Sequence, residues 1–101
     1  MIQINKPDFS IGKLLATPAA LEALKETDVD IIDLVERHIA KDWGDLSYDD
    51  KKLNNEALHD GSRILSAYIL DKTVVKLWII TEATDDNGER AAPTALLPEE
   101  Y

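Results

Sequence analysis

The sequence predicts an α+β domain. Its elements run in the order β-α-α-α-β-β-β, with the helices packed on one face of a mainly antiparallel sheet. Three observations lead there. The stretch Ser62 to Glu82 holds the densest run of β-branched and aromatic residues, and a polar break at Asp71-Lys72 splits it into two strand-length halves, the pattern of a hairpin. Three stretches before it read as helices, each with a start or stop signal. Shorter strand-like segments flank the set at Phe9 to Ala16 and Ala92 to Leu97. Helices grouped between strands, rather than alternating with them, define the class.

The elements follow in chain order. Residues 1–8 show no clear period and are expected to be loose. Phe9, Ile11, Lys13 and Leu15 alternate with Ser10, Gly12, Leu14 and Ala16, as in a strand. Thr17 then suits an N-cap and Pro18 the first helical position, where the missing N–H is no loss. This short helix ends at Glu26-Thr27-Asp28. A second helix begins near Asp28 or Val29, with Ile31, Leu34, Val35, His38 and Ile39 on one face, and closes at Lys41. Ser47 caps a third helix that runs to about His59, with Gly61 at the left-handed stop and Leu53, Asn54, Ala57 and Leu58 inward.

The hairpin has two faces. Val75, Leu77, Ile79 and Thr81 form one row, expected to meet the core, and Leu65, Ala67 and Ile69 form the matching row of the first half. Ile64, Tyr68, Leu70, Val74, Trp78 and Ile80 are expected on the outer face. That is a large apolar patch for a protein to leave wet. The N-terminal strand or a second copy of the chain would cover it, and a homodimer with Trp78 in its interface is the expectation. Ala83 to Ala91 reads as a mobile turn. Pro93 places the last strand, Ala92 to Leu97, at an edge or on a bulge.

A chain of 101 residues makes one domain, here 1–101. Apolar residues at 45% and charged residues at 31% fit a globular protein. No apolar run approaches the roughly 20 residues of a membrane helix. The N-terminus lacks the pattern of a signal peptide, and without cysteine there is no disulfide or thiolate metal site, so cytoplasm is the expected compartment. The net charge of −9 crowds the middle third, where Asp45, Asp49 and Asp50 lie. Phosphates are repelled by such a surface, so direct nucleic-acid binding is not expected, whereas a basic protein partner suits it. A merely solubilising surface explains the same charge.

Few residues offer chemistry. His38 and His59 are the only histidines, and neither has metal-motif spacing. His38 on an apolar face reads as a core histidine bonded to backbone. Asn54 on a buried face reads as a tether for the loop Asp42-Trp43-Gly44-Asp45, or as a ligand contact. Trp43 reads as a plug at the end of a core. Together His38, Asp42, Trp43 and Asn54 are the candidates for one pocket. No catalytic residue, metal ligand or cofactor is implied.

Several blocks taken together carry a resemblance: Asp42-Trp43-Gly44-Asp45-Leu46, Asn54 to Leu58, Gly61 to Tyr68, Leu77-Trp78-Ile79-Ile80-Thr81-Glu82 and Thr94 to Tyr101. From about Gly12 onward the chain resembles a family of small plasmid-related bacterial proteins, also found on integrated mobile elements. Some members carry a type I restriction enzyme subunit label. Asp71-Lys72 departs from that pattern, where Asp-Gly is usual, and the loop Thr84 to Ala91 is longer. The resemblance implies a mobile-element setting and no mechanism. A restriction methyltransferase subunit would need a cofactor-binding α/β domain, for which the chain is too short.

Three functions compete at this level. One is a non-catalytic protein–protein interaction module using Ile64, Tyr68, Trp78 and Ile80. Another is an acidic inhibitor that imitates nucleic acid through Asp45, Asp49 and Asp50 and blocks a nuclease or restriction-type complex. The last is a small enzyme or ligand-binding domain with its pocket at His38, Asp42, Trp43 and Asn54.

Overall fold

The structure, a computed structural model, describes residues 2–5, 13–27, 29–70 and 75–101. The turn expected at Asp71-Lys72, Val74, the first part of the strand expected at Phe9 to Ala16, and the helix start at Asp28 lie outside them. The class is α+β: strands β1 (Ile2–Asn5) and β2 (Lys13–Ala16), helices α1 (Pro18–Lys25), α2 (Ile31–Ile39) and α3 (Tyr48–Asp60), then strands β3 (Ile64–Ile69), β4 (Lys76–Thr81) and β5 (Thr94–Leu96). A single helical turn, Pro98–Glu100, follows. The expected order needs one correction, because a strand stands at Ile2–Asn5 where only loose chain was foreseen.

The sheet order is β1-β2-β5-β4-β3. Three pairings are antiparallel and β2 with β5 is parallel, so the sheet is mixed. The last strand is therefore central, not at an edge. Pro93 sits just before it, and its carbonyl accepts from Leu15 N at 2.9 Å. Proline lacks a donor but keeps its acceptor, so it is tolerated at the entrance of a central strand when only the carbonyl is needed.

The helix ends follow local rules. Thr17 Oγ1 accepts from Ala20 N at 3.1 Å and Pro18 opens α1. α2 starts at Ile31, two residues later than expected from Val29, because Asp30 accepts from Ile32 N and acts as N-cap. Ser47 Oγ accepts from Asp50 N, and Gly61 ends α3 in the left-handed region at φ 80. The segment Ala83 to Ala91, expected as a mobile turn, is tied by its own bonds. Asp85 Oδ1 accepts from Asn87 N and Glu89 N.

The two faces of the hairpin differ from expectation. Leu70 N donates to Val75 O, and Tyr68 pairs with Leu77 and Ser66 with Ile79. An even number of intervening residues sets even positions of β3 opposite odd positions of β4. A two-residue turn has the same parity, so the expected rows joined the wrong halves, an error that moves every side chain to the other face. Ile64, Tyr68 and Leu70 are consequently buried, and Tyr68 and Leu70 join the main core with Leu14, Ala16, Leu77, Ile79 and Ala95. Ala20 and Leu24 of α1 and Ile31, Leu34 and Val35 of α2 belong to the same cluster. The opposite face carries Leu65, Ala67, Trp78, Ile80 and Leu96. Ile80 and Leu96 are buried there as well, and the final turn lies against β4. Glu100 holds that turn by accepting from Thr17 Oγ1 at 2.7 Å.

β3 is the last strand of its side, and its outward groups are nonetheless paired. Ala67 N donates to Trp43 O and Asp45 N donates to Ala67 O, which lays Gly44 alongside the strand in a parallel bridge. Gly44 has φ 77, and a Cβ there would collide with Ala67 O and stand 2.6 Å from the Tyr68 ring. Gly44→Ala is expected to lower stability by at least ~2 kcal/mol, from the left-handed backbone and the lost bridge together. A urea midpoint equal to wild type would contradict it.

Candidate functional site

His38 comes from the inner face of α2, where helical spacing aims it at the sheet between β3 and β4. Its Nδ1 lies 2.6 Å from Ser66 Oγ and its Nε2 lies 2.9 Å from Thr81 Oγ1. Hydroxyls can donate or accept, so both ring nitrogens are satisfied with the ring neutral. The partners are side chains, not the backbone expected from sequence. Burial alone lowers the His38 pKa to about 4. Trp43 meets the ring edge-on at 5.9 Å between centroids. A hollow of about 150 Å³ beside them is lined by Ile39, Leu58, Ile64 and Arg90 as well. The Ser66–His38 pair has the distance of a nucleophile and its base. Ser66 is 0% exposed, however, so its hydroxyl is a structural partner in this geometry.

Of the other three candidates, Trp43 shares that hollow with His38, while Asp42 and Asn54 lie outside it. Asp42 is exposed and receives Arg37 Nε at 2.7 Å, which holds its carboxyl below the usual range. The Arg37 guanidinium lies 4.6 Å from the centre of the Tyr68 ring, and the Tyr68 hydroxyl donates to Asp42 O. Burial pushes that hydroxyl up to about 12. Trp43 is buried with Ala57 and Ile64, as a plug. Its Nε1 donates to Asn55, not to Asn54. Asn54 is a tether, but its client is β3 and not the 42–45 loop. It donates to Leu65 O at 2.7 Å and accepts from Leu65 N at 3.1 Å, as a neighbouring strand would.

The interface candidates divide. Ile64 and Tyr68 face the core and are corrected on that account, since a side chain 1% exposed in Tyr68 has no surface to offer. Ile80 is buried at 3% on the second face. Trp78 remains half-buried and lines a groove of about 320 Å³ with Leu46, Asp50, Leu53, Arg63 and Leu65. Tyr101 stands edge-on to Trp78 at 6.0 Å, and Arg63 lies over the Tyr101 ring and donates to its hydroxyl. Sequence reading missed Arg63, Tyr101, Leu46 and Leu65 at this place. All four lie in the blocks that carry the resemblance, but none has a spacing that marks it. The pairing of β3 with β4 and the seat of α3 bring Leu46, Arg63 and Leu65 to Trp78, and the return of the C-terminal turn adds Tyr101.

Of the acidic trio, Asp45 accepts from Ile69 N at 2.8 Å and so serves the β3 edge, while Asp49 and Asp50 open α3 and are exposed. Arg90, also missed, donates to Ser62 O, Glu82 O and Ala57 O and pins α3 to the chain just before β3 and just after β4. Among the described residues no group of acidic or histidine side chains could hold a metal ion, and no helix is long and apolar enough to cross a membrane. No protein-family model matches the chain, and no curated protein or solved structure matches it.

Two outcomes are expected here. Asn54→Ala strands both backbone groups of Leu65 and should cost ~1–3 kcal/mol in thermal or urea unfolding. An unchanged melt would show that water replaces the amide without loss. His38 titrates near 6.5 when unfolded and near 4 when folded. The unfolded chain therefore binds the extra proton first as pH falls. Stability is full above about pH 6.5, declines toward about pH 4 and levels below it for this group, by on the order of 3 kcal/mol. The difference between wild type and His38→Gln across that window isolates the effect; parallel pH curves would refute it.

Proposed function

We propose that the chain is a non-catalytic protein–protein interaction module whose partner surface is the sheet face carrying Trp78. The observation that carries this reading is the groove beside Trp78, where Leu53 is 60% exposed and an arginine and two aromatic rings sit together. Trp, Tyr and Arg dominate binding energy at protein interfaces, and grooves with apolar floors receive side-chain anchors. The reading takes α1 and α2 as a layer against the other sheet face, which their shared cluster with strand residues supports, and α3 as the wall of the groove at the β3 edge. Asp50, which lines the groove, favours a basic group opposite it in the partner. A second copy of the chain, paired by two-fold symmetry, is the first partner proposed. The mobile-element setting rests on the sequence resemblance.

This reading is preferred to the other two for stated reasons. The polar side chains of an enzymatic reading are engaged in structural hydrogen bonds and lie in separate places. The nucleic-acid mimic rests on Asp45, Asp49 and Asp50, and of these Asp45 is engaged by Ile69 N, which leaves two neighbouring carboxylates rather than a row along an edge.

Sedimentation tests the proposal. Wild type is expected to run as a dimer at about 100 μM, and Trp78→Glu as a folded monomer, since a carboxylate in the apolar centre of a pairing face is not tolerated. A wild type that stays monomeric overturns self-pairing. A Trp78→Glu variant that stays dimeric removes this face as the interface.

A further inference from the structure

On the other side of α3 the surface has the opposite character. Lys41, Lys51 and Lys52 line one hollow of about 340 Å³ together with Trp43, Tyr48 and Asn55. Three lysines lining one hollow run against a net charge of −9. Among the described residues no ion pair engages any of the three; Lys51 acts on Asp42 only at a distance, and the oxygens of Asp42 are already taken by Arg37 and Gly44 N. Like charges drawn together destabilise a surface, and an anion that joins them relieves the repulsion.

The backbone supplies a second observation. Lys41 follows Ala40, the C-cap of α2, with φ 68. Asp42 N donates to Arg37 O and Lys41 N to His38 O, the two bonds that close a helix through a left-handed residue. Glycine or asparagine suits that position, and a lysine there is disfavoured. The residue at this disfavoured position is also one that lines the hollow. Such an outlier is a sound starting point for a functional hypothesis.

The remaining lining narrows the ligand. Lysine acts as a compact point charge, suited to the several oxygens of a phosphate. Tyr48 is 80% exposed at the hollow, and among the described residues no ring or cation contact engages its face. Aromatic faces of this kind take nucleobases by stacking. Asn55 spends its Oδ1 on Trp43 Nε1, and no bond engages its amide nitrogen among the described residues, which leaves two N–H donors for a ligand. The volume is at the lower end for a small-molecule site, near 300 Å³.

We propose that this hollow binds a free nucleotide, with its phosphates among Lys41, Lys51 and Lys52 and its base on Tyr48. An oligonucleotide presents the same chemistry, but its extended charge meets the acidic remainder of the chain, which repels it. The proposal goes beyond the interaction reading and uses a different surface.

Calorimetric and amide-shift titrations with ADP, pyrophosphate and a short single-stranded oligonucleotide test it. ADP is expected to saturate, to weaken with salt, and to move the amides of residues 41, 48, 51, 52 and 55. Lys41→Gly should melt at or above the wild-type temperature yet bind ADP about tenfold more weakly, a split that a purely structural lysine would not show. Tyr48→Ala should weaken ADP by about fivefold or more while leaving pyrophosphate unchanged. Trp78→Glu should bind ADP as wild type does, so failure of this site and failure of the interaction surface are separable. Absence of saturable ADP binding overturns the proposal. So does equal affinity in Lys41→Gly, or an oligonucleotide that binds more tightly than ADP.

Discussion

The outer edge of β3 is the constraint on which the rest of the structure depends. A strand at the side of a sheet leaves every second residue with an unpaired N–H and C=O, and such an edge invites unwanted pairing. Here Leu65 is matched by the Asn54 amide, Ala67 by the backbone of Trp43 and Asp45, and Ile69 by the Asp45 carboxylate. Those three devices fix where α3 lies and where the 42–45 segment runs. α3 then becomes a wall between two hollows. Asp50, Leu53 and Asn54 turn toward the Trp78 groove, and Lys51, Lys52 and Asn55 toward the lysine-lined one.

The interior shows how chemically versatile residues become structural. His38, Ser66 and Thr81 form a closed chain of hydrogen bonds, with no buried side-chain polar atom left unpaired among the described residues. A buried network of this kind specifies one packing of α2 on the hairpin, because each alternative would strand a donor or an acceptor. Its neutral histidine has a cost in acid, where the unfolded chain gains a proton that the folded chain refuses. Function then has to be sought at the surface, where the two faces of α3 differ in charge and in exposed aromatic area.

Much of the local structure was legible in the sequence because it depends on neighbours in the chain. Thr17-Pro18, Ser47 and Gly61 mark helix ends through contacts within a turn or two, and the structure places them there. The polar break inside Ser62 to Glu82 does separate two antiparallel strands. The candidate site was legible only in part. Burial of His38, Trp43 and Asn54 follows from their helical or loop setting, but their partners are residues 11 to 43 positions away. No periodicity carries that information.

What the chain by itself determined was the existence of the helices and the hairpin, the α+β class, and the buried character of the α2 face. Capping, turn chemistry and hydrophobic spacing act over a few residues, so they can be read along the chain. Tertiary structure alone decided the rest. The parity of the hairpin moved Ile64 and Tyr68 into the core and left Trp78 outside. The parallel pairing with β2 drew β5 into the centre of the sheet despite Pro93. The return of the C-terminal turn set Tyr101 on Trp78, and the left-handed end of α2 brought Lys41 to Lys51 and Lys52. Each of these depends on which distant segments share hydrogen bonds, a choice made by the balance of burial over the whole fold.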